Sequence, residues 1–106
     1  MSKVKLASID EINIGDMKQV SVNDNDYLIA NIDGEIFVAD DLCTHEDAEL
    51  TMGCLKGKTV KCPLHGSYFD LATGEALNEP ADEPIRIHKT IIEDGHIYIQ
   101  KNSEKV

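Results

Sequence analysis

Two short segments, Cys43-Thr44-His45 and Cys62-Pro63-Leu64-His65, stand 16 residues apart. Each offers one soft anionic sulfur and one neutral imidazole nitrogen. Folding the two loops together therefore gives a Cys₂His₂ donor set that suits either one tetrahedral zinc or a two-iron sulfur cluster. A chain that must bring both loops to one point is constrained by that meeting more than by any local propensity. Zinc fingers of the C₂H₂ kind gather like ligands, C-x₂₋₄-C followed by H-x₃₋₅-H. Here each segment mixes one Cys with one His, which suits a dinuclear centre in which both loops reach both metals.

Around the donors the chain reads Cys-Thr-His-Glu-Asp-Ala-Glu-Leu at 43–50 and Cys-Pro-Leu-His-Gly-Ser-Tyr-Phe-Asp at 62–70, with Ala-Thr-Gly-Glu at 72–75. This stretch resembles the Rieske [2Fe–2S] family: C-x-H, a spacer, C-x-x-H, a Pro after the second Cys, a Gly after the second His and a later Thr-Gly. The resemblance implies one [2Fe–2S] cluster with Cys43 and Cys62 on one iron and His45 and His65 on the other. Imidazole in place of thiolate reduces the negative charge at that iron, and such centres span roughly −150 to +300 mV. The membrane-anchored respiratory branch adds a Cys to each loop, where this chain has Ala48 and Leu64, and a Ser and a Tyr hydroxyl that bond to cluster sulfurs. Here Ser67 is kept and Phe69 stands at the tyrosine position. The missing disulfide and the missing donor imply the low-potential, soluble branch, the ferredoxins of bacterial aromatic-ring oxygenase systems. In this family a proline loop covers the cluster from a third side, and Pro80 is the matching residue.

With 106 residues the chain is sized for one domain. Of three cysteines, two are assigned to metal, so Cys54 has no intramolecular disulfide partner. It reads as a small apolar filler, and a reducing compartment fits best. The start of the chain has no sustained apolar stretch, and no segment approaches the roughly eighteen apolar residues of a membrane span. A cytoplasmic protein is expected. Twenty Asp plus Glu against ten Lys plus Arg give a net charge of −10, which excludes nucleic acid and anionic membrane surfaces as partners. Nine carboxylates flank the donor segments: Asp40, Asp41, Glu46, Asp47, Glu49, Glu75, Glu79, Asp82 and Glu83. They are read as an acidic rim that steers basic partner surfaces.

Helix signals are scarce, and short strand-like stretches recur at 17–22, 27–32, 35–39, 59–61, 67–70, 85–92 and 96–100, the spacing of an all-β domain. Asp33-Gly34 and Asp94-Gly95 predict two-residue hairpins. Ser8-Ile-Asp-Glu-Ile predicts a brief helical turn. The expected fold is a Rieske-like antiparallel β-sandwich or barrel base, residues 1–40 and 84–102. A cluster-binding insert of two ligand loops, about 41–83, is carried on it. Alternation in Ile85-Arg-Ile-His places Ile85 and Ile87 on one face and His88 on the other, a solvated strand histidine. His96, next to a turn, is expected exposed.

The Rieske resemblance implies a monomeric one-electron carrier that takes electrons from a flavin-containing ferredoxin reductase and gives them to a terminal oxygenase. It has no catalytic residues of its own, and His45 and His65 form the electron exit. The alternative is the Rieske-like small subunit of an assimilatory nitrite reductase, which such resemblance also covers. Retention of all four donors favours the carrier.

Overall fold

The computed structural model describes residues 2–42, 49–63, 66–78 and 83–101. Among them are ten strands and two single-turn 3-10 segments. The strands are β1 (Ser2–Ser8), β2 (Met17–Val22), β3 (Asn25–Ile32), β4 (Glu35–Asp40), β5 (Cys54–Lys56), β6 (Thr59–Lys61), β7 (Tyr68–Asp70), β8 (Ile87–His88), β9 (Thr90–Glu93) and β10 (His96–Lys101). They form three antiparallel sheets, ordered β1-β10-β9, β2-β3-β4-β8 and β5-β6-β7.

The middle sheet is covered on both sides, and β3 shows it directly. Its run Tyr27-Leu28-Ile29-Ala30-Asn31 is buried without interruption. Period-2 geometry sends Leu28 and Ala30 to one face and Tyr27 and Ile29 to the other. Leu28 and Ala30 join Phe37, Ala39, Leu50, Val60, Cys62, Phe69, Leu71 and Ile85 in one apolar cluster. Tyr27 and Ile29 join Leu6, Ala7, Ile12, Val38, Ile97 and Ile99 in a second. A strand buried on both faces reads as continuous apolar sequence, and that is what β3 carries.

Turn chemistry sets the registers. Asp33-Gly34 and Asp94-Gly95 are two-residue hairpin loops with both residues at positive φ, 55° and 91° in the first, 51° and 77° in the second. Asn23-Asp24 makes a third hairpin without glycine, at φ 54° and 67°. Asn and Asp tolerate the left-handed region because their short polar side chains bond locally. A shift of register in β1 between Lys5 and Ala7 leaves Leu6 and Ala7 both buried, as a β-bulge permits.

Three expectations are corrected. The single strand expected over 85–92 is two strands: Ile87–His88 pairs with β4, whereas Thr90–Glu93 pairs with β10, so the chain changes sheets at Lys89. β1 and β5 belong to the fold and were not among the expected strands. His88 is not solvated. Its side chain is 15% exposed, its Nε2 lies 2.7 Å from Asp40 Oδ1, and its ring sits edge-on to Tyr27 with centroids 5.1 Å apart. Burial, and then the Asp40 charge, raise the Tyr27 phenol above its ordinary pKa. The expected turn after Ser8 is present as the 3-10 segment Ile9–Glu11, and His96 is half-buried.

Candidate iron–sulfur centre

The first donor segment leaves β4 through Asp40, Asp41 and Leu42. Asp41 was read as part of an acidic rim, and the structure corrects this: it is 2% exposed. Its Oδ2 accepts from Gln19 Nε2 at 2.7 Å and from Thr51 Oγ1 at 2.7 Å, and its Oδ1 accepts from the Thr51 backbone N–H at 2.8 Å. A carboxylate this deep is tolerated because charge-assisted hydrogen bonds replace its water. Gln19 lies on β2 and Thr51 lies past the donor segment, in the 3-10 turn Leu50–Met52. Asp41 therefore ties both ends of the first loop to the middle sheet. Cys43 and His45, with Glu46, Asp47 and Ala48, lie outside the described residues.

The second segment is described at both ends. Cys62 follows β6 directly and is 2% exposed, packed in the cluster that holds Val60, Phe69 and Leu71. Its backbone N–H donates to Ser67 O at 2.7 Å, and its carbonyl accepts from the Gly66 N–H at 3.2 Å. Those two bonds close the loop at its root, and Leu64 and His65 lie outside the described residues. Ser67 is 1% exposed and Phe69 is fully buried beside Cys62 in the same cluster. Cys54, expected to be a small apolar filler, is exposed.

A third segment holds the second loop, and sequence reasoning missed its main contact. Asn78 Oδ1 accepts from the Tyr68 N–H at 2.7 Å, and Asn78 Nδ2 donates to Gly66 O at 3.3 Å. The Leu77 N–H donates to Tyr68 O at 2.8 Å. Residues 77–78 thus run against the second loop, and Pro80 itself falls outside the described residues. The Thr73-Gly74 pair has a separate task. A Cβ on Gly74, at φ +85°, would stand 2.2 Å from Ile85 O. The Ile85 N–H donates to Gly74 O at 2.8 Å, which locks the exit of β7 to the returning chain. Only glycine fits that approach.

A buried thiol at the root of a loop closed by its own backbone, with the buried Ser67 at the closing bond, fits a thiolate ligand of an iron–sulfur cluster. Among the described residues no group of three His, Cys, Asp or Glu gathers, as expected when three of the four donors lie outside them.

The profile of the Rieske [2Fe-2S] domain matches residues 2–89. The chain belongs to the Rieske [2Fe–2S] family. The cofactor of such a domain is a Rieske-type [2Fe–2S] cluster. The 3-phenylpropionate/cinnamic acid dioxygenase ferredoxin subunit of Photorhabdus laumondii is 36% identical over 106 residues, covering 99% of this chain and 100% of that one. The structure of the Sphingomonas yanoikuyae B1 ferredoxin superposes on this Rieske domain with a TM-score of 0.91 at 37% identity, covering 95% of this chain and all of the other. A chain from the complex of reduced oxygenase and oxidized ferredoxin in carbazole 1,9a-dioxygenase gives a TM-score of 0.86 at 25% identity, over 96% of this chain and 97% of that one. These likenesses run the length of the domain.

Proposed function

We propose that this protein is a one-electron carrier that passes electrons from a flavin-containing reductase to a terminal oxygenase of an aromatic-ring dioxygenase system. It acts as an electron-transfer component and not as a catalytic subunit. Cys43, His45, Cys62 and His65 would hold the cluster, which when bound takes up and gives back one electron. The single observation that carries the reading is the Cys62–Ser67 loop, in a chain whose relatives are ferredoxin components. That kinship also favours the carrier over the small subunit of a nitrite reductase.

The chain's own residues have three tasks. Asp41, Thr51 and Gln19 fix the root of the first loop, while Asn78 and the backbone bonds of Cys62 to Ser67 and Gly66 fix the second. Ser67, Phe69 and Pro80 would shape the cluster's surroundings: a buried hydroxyl under the second loop, an apolar ring where a phenol would raise the potential, and a rigid cover without an N–H. His45 and His65 would form the face at which the acceptor approaches. No helix among the described residues is long and apolar enough to cross a membrane. We place the carrier in the cytoplasm as a monomer.

The test is metal and redox analysis of the purified protein. Two irons and two labile sulfides per chain, a coloured protein, and a potential near roughly −150 mV support the reading. Colourless protein with one zinc overturns it. A potential above roughly +100 mV removes the protein from the low-potential branch.

A further inference from the structure

The charge of this chain is not spread evenly. Residues 50–69 contain Lys56, Lys58 and Lys61 and no Asp or Glu. A local +3 therefore leaves −13 for the rest of a chain whose total is −10. The sheet β5-β6-β7 gathers this charge on one side. Leu55, Val60 and Phe69 face the apolar cluster. Strand alternation sends their neighbours to the outer face, where the registers align Cys54 with Lys61 and Tyr68, and Lys56 with Thr59 and Asp70. Lys58 sits in the β5–β6 turn.

Several observations make this face a docking surface rather than ordinary solvated charge. Among the described residues none of the three lysines forms an ion pair, whereas Lys3 on β1, Lys18 on β2 and Arg86, just before β8, do. The carboxylate of Asp70 is turned back into its own turn, accepting from the Ala72 and Thr73 N–H groups at 2.7 and 3.3 Å. Lys61 Nζ lies 5.9 Å from the centre of the Tyr68 ring. Met52, 72% exposed, and Pro63 border a groove that reaches Cys62. Tyr68 and Met52 are of the types enriched in interfaces, the lysines around them suit a polar rim, and Asp70, the one carboxylate on the face among the described residues, is engaged by its own turn.

We propose that the outer face of β5-β6-β7 docks a redox protein whose surface around its own redox group is acidic. The proposal rests on the electron-carrier reading above. It adds a second, basic docking face beside Cys62, distinct from the acidic surroundings of the first donor segment. A carrier must meet two partners, and faces of opposite sign let each partner find its own. The net charge of −10 does not forbid this. At 0.15 M salt the Debye length is about 8 Å, so a partner at contact senses the local face more than the whole molecule. A second copy of the chain is a poorer occupant, because two copies repel at long range and a face-to-base contact does not close on itself.

The experiment uses the cluster-loaded protein and a flavodoxin, an acidic FMN protein, as electron donor in stopped flow across ionic strength. If the basic face docks, electron transfer slows as salt rises although both proteins are net negative. Replacing Lys56 and Lys58 with Glu lowers the low-salt rate about tenfold and reverses the salt dependence. Replacing Lys5 on β1 and Lys89 at the break between β8 and β9, both exposed, with Glu makes the identical change in net charge and shifts the rate less than about twofold. Equal effects from the two pairs, or a wild-type rate that rises with salt, overturn the proposal. So does a concentration-dependent dimer that the Lys56/Lys58 pair abolishes, since the occupant is then a second copy. If that pair yields no cluster-loaded protein, Lys58→Gln at the turn decides: a slower flavodoxin reaction with weaker salt dependence supports the face, and an unchanged one overturns it. Failure of the carrier reading looks different. A protein that carries no cluster, or does not take up an electron from dithionite and return it to an oxidant, fails whatever its salt dependence.

Discussion

The two apolar clusters on either side of the middle sheet are built by different rules. On one side β1, β10 and β9 close over Tyr27, Ile29 and Val38, with strands of four to seven residues in long register. On the other side the cover is β5-β6-β7, three strands of three residues each, and the cluster includes a potential metal ligand, Cys62. The first layer contains what a β-sandwich needs to stand alone. The second has too few ladder bonds to do so, and it depends on side-chain anchors and on the metal its loops would bind. Stability and redox function are thus divided between the two faces of one sheet.

The sharpest way to break this comparison is Cys62→Ala. The visible absorbance is expected to vanish, and amide exchange to accelerate at Val60, Phe69 and Leu71 while Ile29, Ile97 and Ile99 keep their protection. Equal loss of protection on both sides would show that the molecule is one cooperative unit. A smaller but quantitative test pairs Phe69→Ala, expected to cost about 3–5 kcal/mol, with Ile97→Ala, about 2–5 kcal/mol, by urea unfolding. After the metal is removed by chelation, the Ile97 cost should persist and the Phe69 cost should shrink. Thr51→Val comes next. It keeps the shape and the backbone bond to Asp41 but removes the hydroxyl bond, for an expected loss of about 1.5–3 kcal/mol.

The least effect belongs to Tyr27, whose phenol is raised above 10.0 by burial and by Asp40. The fold favours the neutral phenol, so this contribution is complete below the unfolded value and disappears as pH climbs through the folded one. Alkaline titration of tyrosinate absorbance should show a late phenol that is lost in Tyr27→Phe, and Tyr27→Phe should flatten the decline of stability above pH 10.

The parts of this molecule that could be read from sequence are those with local causes. Asp33-Gly34 and Asp94-Gly95 name their own hairpins, and the paired Cys and His segments name their chemistry. What was misread depends on distant partners. β1 gains its strand from residues 96–101, far along the chain. The break at Lys89 exists because two different sheets claim its neighbours. His88 looked solvated because alternation says which face a residue takes but not whether that face is covered by Tyr27 and Asp40. Asp41 stood in a run of carboxylates, and nothing in the run marks the one whose oxygens turn inward to Gln19 and Thr51. Asn78 carried no signal beyond its place before a proline segment. The donor residues Cys43, His45 and His65 were legible as a pattern, and their placement stands as a proposal.

The Asp41 contacts set where this protein can be cut and rejoined. A chimera that moves residues 43–65 onto a related base takes Thr51 along but leaves Asp41 and Gln19 behind, so a donor's Thr51 must find a matching carboxylate in the recipient. It also parts Cys62 from Gly66 and Ser67, whose backbone bonds close the second loop and which Asn78 holds in turn. The transferable unit is therefore 41–78 together with Gln19, a position more than twenty residues upstream of the splice. Recombination among relatives should succeed or fail on that residue, although it adjoins neither loop in sequence.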